Sequence, residues 1–290
     1  MSGNVPVFRS PDGEARAFAA YEVVLAHWPV PYEEQDLPTR FGTTHMVVSG
    51  SNSSKPLILL HGQDSSATSW IYNIADLSRT FRVFAVDTMG DIGKSRPDVV
   101  PSTREDYADW LFEVIDQLEM KKVDVVGLSY GGFLALNFAI ACPKRAGRLV
   151  LLAPGIPNFG PPSLQWANYG MPMMLFPSRF TIRRFISGAS SAGYSTKDPV
   201  YEQMIVGMMN MKNVSFMRPV FTDAELKGMD VPCLLLIGDC EIMYEPHKAL
   251  DFAARLIPHL QGKLIPNAGH MLNGDQPEAV NELILKFLSK

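Results

Sequence analysis

Val123-Asp124-Val125-Val126-Gly127-Leu128-Ser129-Tyr130-Gly131-Gly132-Phe133-Leu134-Ala135-Leu136 leads an apolar run into Gly-x-Ser-x-Gly, and an alanine-rich helical pattern leads out of it. A strand that turns into a helix through such a pentapeptide is a nucleophile elbow: the turn is so tight that only small flanking residues fit, and the serine is exposed at its apex. With 22 Gly in 290 residues, about one chain in ten of this composition would hold the pentapeptide by chance, so its surroundings decide the reading.

Outward from the elbow, strand patterns recur at 57–60, 82–86, 122–128, 149–153, 233–237 and 263–265, with helix patterns between most of them. Apolar strands alternating with helices predict an α/β fold, a mostly parallel central sheet flanked by helices on both faces. Upstream, Phe18, Tyr21, Val24, Leu25 and Trp28 have helical spacing, so 14–28 is predicted as an N-terminal helix added to the main fold. Two short strands at 32–37 and 43–48 form a hairpin turning near Phe41-Gly42.

Between Ile156 and Thr222 no strong strand run occurs, although connections of this kind usually take a few residues. The spacing predicts a core of residues 1–155 and 223–290, with 1–30 as a helical extension, and a helical cap inserted at 156–222. The insertion opens with prolines and aromatics. It also holds Met171, Met173, Met174, Met204, Met208, Met209, Met211 and Met217 of the chain's 15 methionines. Methionine is an adaptable apolar filler, and as a group these residues favour an apolar lid, although any single one could simply pack the insertion onto the core.

Composition narrows the function classes. A chain that is 47% hydrophobic can bury a sizeable core. Its 26 basic and 30 acidic residues, a net charge of -4, leave no electrostatic footprint for nucleic acid. No stretch reaches the ~18 apolar residues of a membrane span, and residues 1–10 lack the basic and apolar regions of a leader, so a cytoplasmic protein acting on a small molecule is expected. Cys142, Cys233 and Cys240 have no metal-ligand spacing and read as reduced packing residues. Gly90-Asp91-Ile92-Gly93-Lys94-Ser95 imitates a phosphate loop, but Thr88 stands where its first glycine is required and Pro97 follows too soon for the helix.

A serine nucleophile needs an imidazole to take its proton and a third group to orient that imidazole. Of six histidines, His270 follows the last strand in Pro266-Asn267-Ala268-Gly269-His270, on a loop opening toward a C-terminal helix at 276–288. His27, His45, His247 and His259 lack such a context and read as structural or solvated. The acid belongs after the 233–237 strand, where Asp239 and Glu241 compete. The oxyanion needs donors worth ~3 kcal/mol each. One is the amide of Tyr130, the residue after the nucleophile. The other comes from the loop His61-Gly62-Gln63-Asp64 after the 57–60 strand, where His61 itself reads as shaping the loop.

These motifs, in this order, resemble the α/β-hydrolase fold family. Its acid-bearing strand ends Gly-x-x-Asp, and matching that glycine to Gly238 implies Glu241 as the acid. The likeness of His61-Gly62 to its oxyanion loop implies Gln63 as the second donor. Asp87 to Ser95 is similar to a loose form of its Asp-x-x-Gly-His-Gly-x-Ser loop, with Asp91 in place of histidine and one residue inserted. Asp106-Tyr107-Ala108-Asp109-Trp110-Leu111, Gly127 to Gly132, Phe221-Thr222-Asp223-Ala224-Glu225-Leu226 and Tyr244-Glu245-Pro246-His247 look like bacterial carboxylesterases of the carboxylesterase NP type, which are similar in using glutamate as the acid.

The resemblance implies a Ser129-His270-Glu241 triad that hydrolyses carboxylic esters, bulky aryl-propionates among them, with no cofactor or metal. Thioesterase, carbon–carbon hydrolase and perhydrolase chemistry use the same machinery, and a non-catalytic small-molecule receptor would keep the pocket. Serine at 129 argues against dehalogenases and epoxide hydrolases, which need a carboxylate there. Short-chain esters are expected, because no strongly exposed membrane-surface helix stands out in this acidic chain. Oligomeric state, a homo-oligomer included, is open at this level.

Overall fold

The computed structural model describes residues 5–155, 159–193, 195, 197–212 and 220–290. The expected start of the insertion, with Ile156 and Pro157, and Met217 within it lie outside the described residues.

Helix α1 (Pro11–Leu25) leads to the hairpin β1 (Tyr32–Thr39) and β2 (Gly42–Ser49), then to β3 (Lys55–Leu60). A 3-10 turn (Ala67–Tyr72) and α2 (Ile74–Leu77) precede β4 (Phe81–Val86) and the two-residue β5 (Arg96–Pro97). Next come α3 (Arg104–Gln117), β6 (Val123–Leu128), α4 (Tyr130–Ala141) and β7 (Ala146–Leu152). Helices α5 (Leu164–Leu175), α6 (Arg179–Ala189), α7 (Pro199–Asn210) and α8 (Asp223–Lys227) separate β7 from β8 (Cys233–Gly238). The chain closes with α9 (Pro246–Leu256), β9 (Leu260–Ile265), α10 (Leu272–Asp275) and α11 (Pro277–Leu288).

The strands form one sheet in the order β1-β2-β4-β3-β6-β7-β8-β9, with β5 paired to β2. All pairs from β4 to β9 are parallel, and β2 is antiparallel to both β1 and β4. Central strands are apolar on both faces because both are covered. Ile58, Leu60, Val125, Leu151 and Leu235 join Trp110, Phe133 and Ala249 in one core layer. Leu57, Leu59, Val126, Val150 and Leu234 face the opposite layer with Trp70, Ile74 and Ile284. Each fully buried Leu or Ile adds ~1.5–3 kcal/mol. Edge strand β1 carries Glu33, Glu34, Asp36 and Pro38 and is largely exposed, which disfavours pairing with another chain.

Most strands lie within three residues of the sequence expectation, and both ends of the first helix differ from it. Helix α1 starts three residues before 14, because Ser10 Oγ accepts from Gly13 N at 3.1 Å and Pro11 suits the first helical turn. It ends at Leu25, and Trp28 instead donates from Nε1 to Ser49 Oγ at 3.0 Å. Strand β5 gave no sequence signal, since two residues carry no period. Helix α1 packs on two layers: Val24 lies with Ile182, Ile186, Val200 and Ile205 of α6 and α7, while Tyr21 and Leu25 belong to the sheet core.

Candidate active site

Parallel α/β sheets present their ligand sites beyond the carboxyl ends of the strands, and loops from β3, β6, β8 and β9 meet there. Ser129 has φ 50° and ψ -109°, a conformation that costs a residue with a side chain energy. It is held by Ser129 N donating to Leu152 O at 2.8 Å, while its carbonyl accepts from Phe133 N and Gly155 N, both at 3.1 Å. A Cβ on Gly131 would lie 2.0 Å from Leu60 O, and one on Gly127 would lie 2.2 Å from Gly131 O. Glycine at both positions therefore lets α4 begin against β3 and β6, with its positive dipole end beneath Ser129.

His270 Nε2 lies 2.8 Å from Ser129 Oγ, and His270 Nδ1 lies 2.7 Å from Glu241 Oε2. An ionised carboxylate only accepts, so Nδ1 carries the proton and the Nε2 lone pair faces the serine. The other Glu241 oxygen accepts from Met243 N at 2.7 Å, and the carboxylate has no exposed area. A buried charge is tolerable when it is paired and hydrogen-bonded in this way. Asp239 is exposed and its Oδ1 accepts from Ala268 N at 3.4 Å. Of the two competing carboxylates, the fold brings Glu241 to the imidazole and turns Asp239 to the loop backbone.

Gly62 and Gln63 line the cavity that contains Ser129 and His270, and a Cβ on Gly62 would stand 3.5 Å from the Ser129 Cβ. Tyr130 opens α4 with its buried ring parallel to Phe133 at 6.0 Å. His61 is buried. Its Nε2 accepts from Thr88 N at 3.0 Å, so its Nδ1 donates to Gly62 O at 2.7 Å. Burial lowers its pKa and keeps it neutral, a loop brace between β3 and β4. The cavity measures about 410 Å³. Trp166, Met173, Met174, Phe185 and Met204 cover it from α5 to α7, and Met243 and Met271 close it from the core loops.

A model of the alpha/beta hydrolase family matches residues 57–283. The chain belongs to the alpha/beta hydrolase family. This hydrolase is 36% identical over 286 residues to the uncharacterized carboxylesterase nap of Bacillus subtilis, spanning 96% of this chain and 94% of that protein. It is 35% identical to carboxylesterase YbfK of the same organism, spanning 97% and 96%. The crystal structure of naproxen esterase (carboxylesterase NP) from Bacillus subtilis superposes with a TM-score of 0.87 at 34% identity, covering 97% of this chain and 99% of that one.

Near the candidate site, the loop that imitates a phosphate cradle has another occupant. The Asp87 carboxylate accepts from Lys94 N and Ala67 N, both at 2.7 Å, and a Cβ on Gly93 would fall 2.2 Å from its Cγ. Those amides are committed to Asp87. Burial, with Asp64 adding repulsion, pushes the Asp91 carboxyl well above the usual carboxylate range. His45 is buried with Nδ1 2.7 Å from Asp36 Oδ1, while His27, His247 and His259 are exposed. The three cysteines are unpaired. Among the described residues, no three or more His, Cys, Asp or Glu gather to hold a metal, and no helix is long and apolar enough to cross a membrane.

Asp275 was not singled out by sequence. It accepts from Gly269 N at 2.8 Å, Ser190 Oγ at 2.5 Å and Ser191 N at 2.9 Å, tying the His270 loop to the end of α6. Met271 N completes the tie by donating to Ala189 O at 3.2 Å. Gln203 of α7 was missed as well. It accepts from Thr68 Oγ1 at 2.6 Å and donates to Ser66 Oγ at 2.9 Å. Five residues of spacing between His270 and Asp275 is a usable signal only once α6 is known to end beside them.

Proposed function

We propose that the protein is a serine carboxylesterase with Ser129 as nucleophile, His270 as base then acid, and Glu241 as the group orienting His270. The unbroken contact from Ser129 Oγ to His270 at 2.8 Å and on to Glu241 at 2.7 Å carries this reading. Ser129 Oγ attacks the ester carbonyl as its proton passes to His270 Nε2, and Glu241 stabilises the imidazolium. The amides of Gln63 and Tyr130 hold the oxyanion. His270 returns the proton to the departing alcohol, leaving an acyl-enzyme. Water, deprotonated by His270, then releases the carboxylic acid and restores Ser129.

Residues 156–222 act as a cap on a core formed by 1–155 and 223–290. The thioether and aromatic lining supports esters with a bulky apolar group, aryl-propionates among them, over highly charged ones. Three free thiols, with Cys240 exposed, suit a reducing cytoplasm.

A scan of p-nitrophenyl esters by chain length with purified protein tests the reading. Ser129→Ala is expected to lower kcat by at least ~10⁴-fold. Retention of kcat within tenfold would overturn the assignment.

A further inference from the structure

Among the described residues, eleven large apolar side chains are exposed, and six of them, Leu164, Met171, Met174, Leu175, Phe176 and Phe180, lie on α5, α6 and the link between them. Phe176 is 73% and Phe180 74% exposed. Isolated exposed apolar residues are ordinary, but a run of them is not. Met174 is exposed at 60% and also lines the cavity, so the patch continues into the site.

The charge here is as uneven as the polarity. In a chain of net charge -4, residues 159–193 contain Arg179, Arg183 and Arg184 and no aspartate or glutamate. Glu202 of α7 faces Arg179 and Arg183. Arg184 has neutral neighbours, donating to Asn168 Oδ1 at 2.7 Å and lying 5.4 Å from the Tyr169 ring centroid.

We propose that the α5–α6 corner docks on the surface of an anionic lipid bilayer, with Leu175, Phe176 and Phe180 entering the headgroup boundary and Arg184 meeting lipid phosphate. Apolar side chains bordered by arginine match both layers of such an interface. A second copy of the chain fits less well: a two-fold contact through this patch would oppose two basic corners, and the segment offers no acidic residue to pair with them. Docking brings the cavity mouth to the interface, where an apolar ester concentrates. The ester as cargo rests on the esterase reading, whereas the docking itself does not. The sequence pattern showed no membrane-surface helix because the patch is assembled from two helices and their link, so no single helical period carries it.

Flotation of the full chain with phosphatidylglycerol/phosphatidylcholine vesicles, against phosphatidylcholine alone, tests the docking without turnover. Partition to the anionic vesicles should exceed that to the neutral ones by at least ~10-fold at low salt and fall in ~0.5 M salt. Phe176→Ser with Phe180→Ser, and separately Arg184→Glu, should each reduce it by about tenfold, given the charge and apolar area removed. Both variants should hydrolyse a water-soluble p-nitrophenyl ester within about twofold of the unmodified protein, which also verifies their fold. Absence of anionic binding, binding unaffected by either variant, or a dimer in sedimentation equilibrium that the double phenylalanine variant dissolves would overturn the proposal.

Discussion

Glu241 and Asp239 stand two positions apart and meet opposite surroundings. Glu241 is sealed from solvent with one oxygen on His270 and the other on a backbone amide, while Asp239 is exposed. Under the proposed mechanism, Glu241→Gln should lower kcat by about 10³–10⁴-fold, because the amide no longer stabilises the imidazolium. Asp239→Asn should stay within about fivefold, since its exposed carboxylate contacts the Ala268 amide and the Cys240 thiol of the loops. Steady-state kinetics on one p-nitrophenyl ester compares them, and equal losses would remove the distinction. Asp275 allows a different test. Asp275→Ala removes both acceptors at once, Oδ2 that serves Gly269 N and Ser191 N and Oδ1 that serves Ser190 Oγ. It is expected to reduce kcat by about tenfold with little change in KM, because the His270 loop, rather than the cavity, loses its fastening. A change confined to KM would instead make Asp275 a cap residue only.

Among the secondary-structure elements, the elbow has the least tolerance. Gly131→Ala would set a Cβ 2.0 Å from the carbonyl oxygen of Leu60, backbone against a central strand, and neither can yield cheaply. A loss of more than ~3 kcal/mol is expected, about 6–12 °C in Tm for a domain of this size. A thermal melt within 2 °C of the unmodified protein would refute the contact. The junction of α3, α4 and α8 has a pH signature. Arg104 donates from Nη2 to Glu225 Oε1 at 2.7 Å and from Nε to Asn137 Oδ1 at 3.0 Å. The Arg104 guanidinium, with amide and hydroxyl donors from Thr222, holds the Glu225 carboxyl down at about 2. A depressed carboxylate adds stability above its unfolded pKa, and that stability is lost as pH falls through the folded one. Glu225→Gln should therefore lower Tm at pH 7, with the difference shrinking between about pH 4.5 and 2. A Tm difference independent of pH would assign the loss to packing.

Across the whole molecule, α1 connects layers that the chain order separates. Val24 is fully buried against α6 and α7, while Tyr21 and Leu25 sit in the sheet core. Val24→Asp places an unpaired charge there and should lower Tm by at least ~6 °C while speeding limited proteolysis within 156–222. An unchanged cleavage pattern would show that α1 does not brace the cap helices. The central strands were legible in sequence because strands covered on both faces must be apolar throughout, as 57–60 and 233–237 are. The bounds of α5 to α7 were not. Apolar residues occur on several faces of α5, and Pro172 lies inside it. Its start and those of α6 and α7 are set by the caps Ser163, Ser178 and Asp198, single polar residues unremarkable in a loop-like composition.

The sequence by itself determined the alternating architecture, the serine at the elbow and the order of its partners, because strand period and tight-turn sterics are local properties of consecutive residues. Only the tertiary structure decided which carboxylate faces His270, for that depends on where the loops after β8 and β9 cross, with Gly238 packed so close that a Cβ there would lie 2.1 Å from Ala268 O. It likewise decided which methionines line the cavity, that Asp275 clasps the end of α6, and that the apolar and basic residues of α5 and α6 gather on one exposed corner. Those outcomes require residues far apart in the chain to meet, and no local period encodes such a meeting.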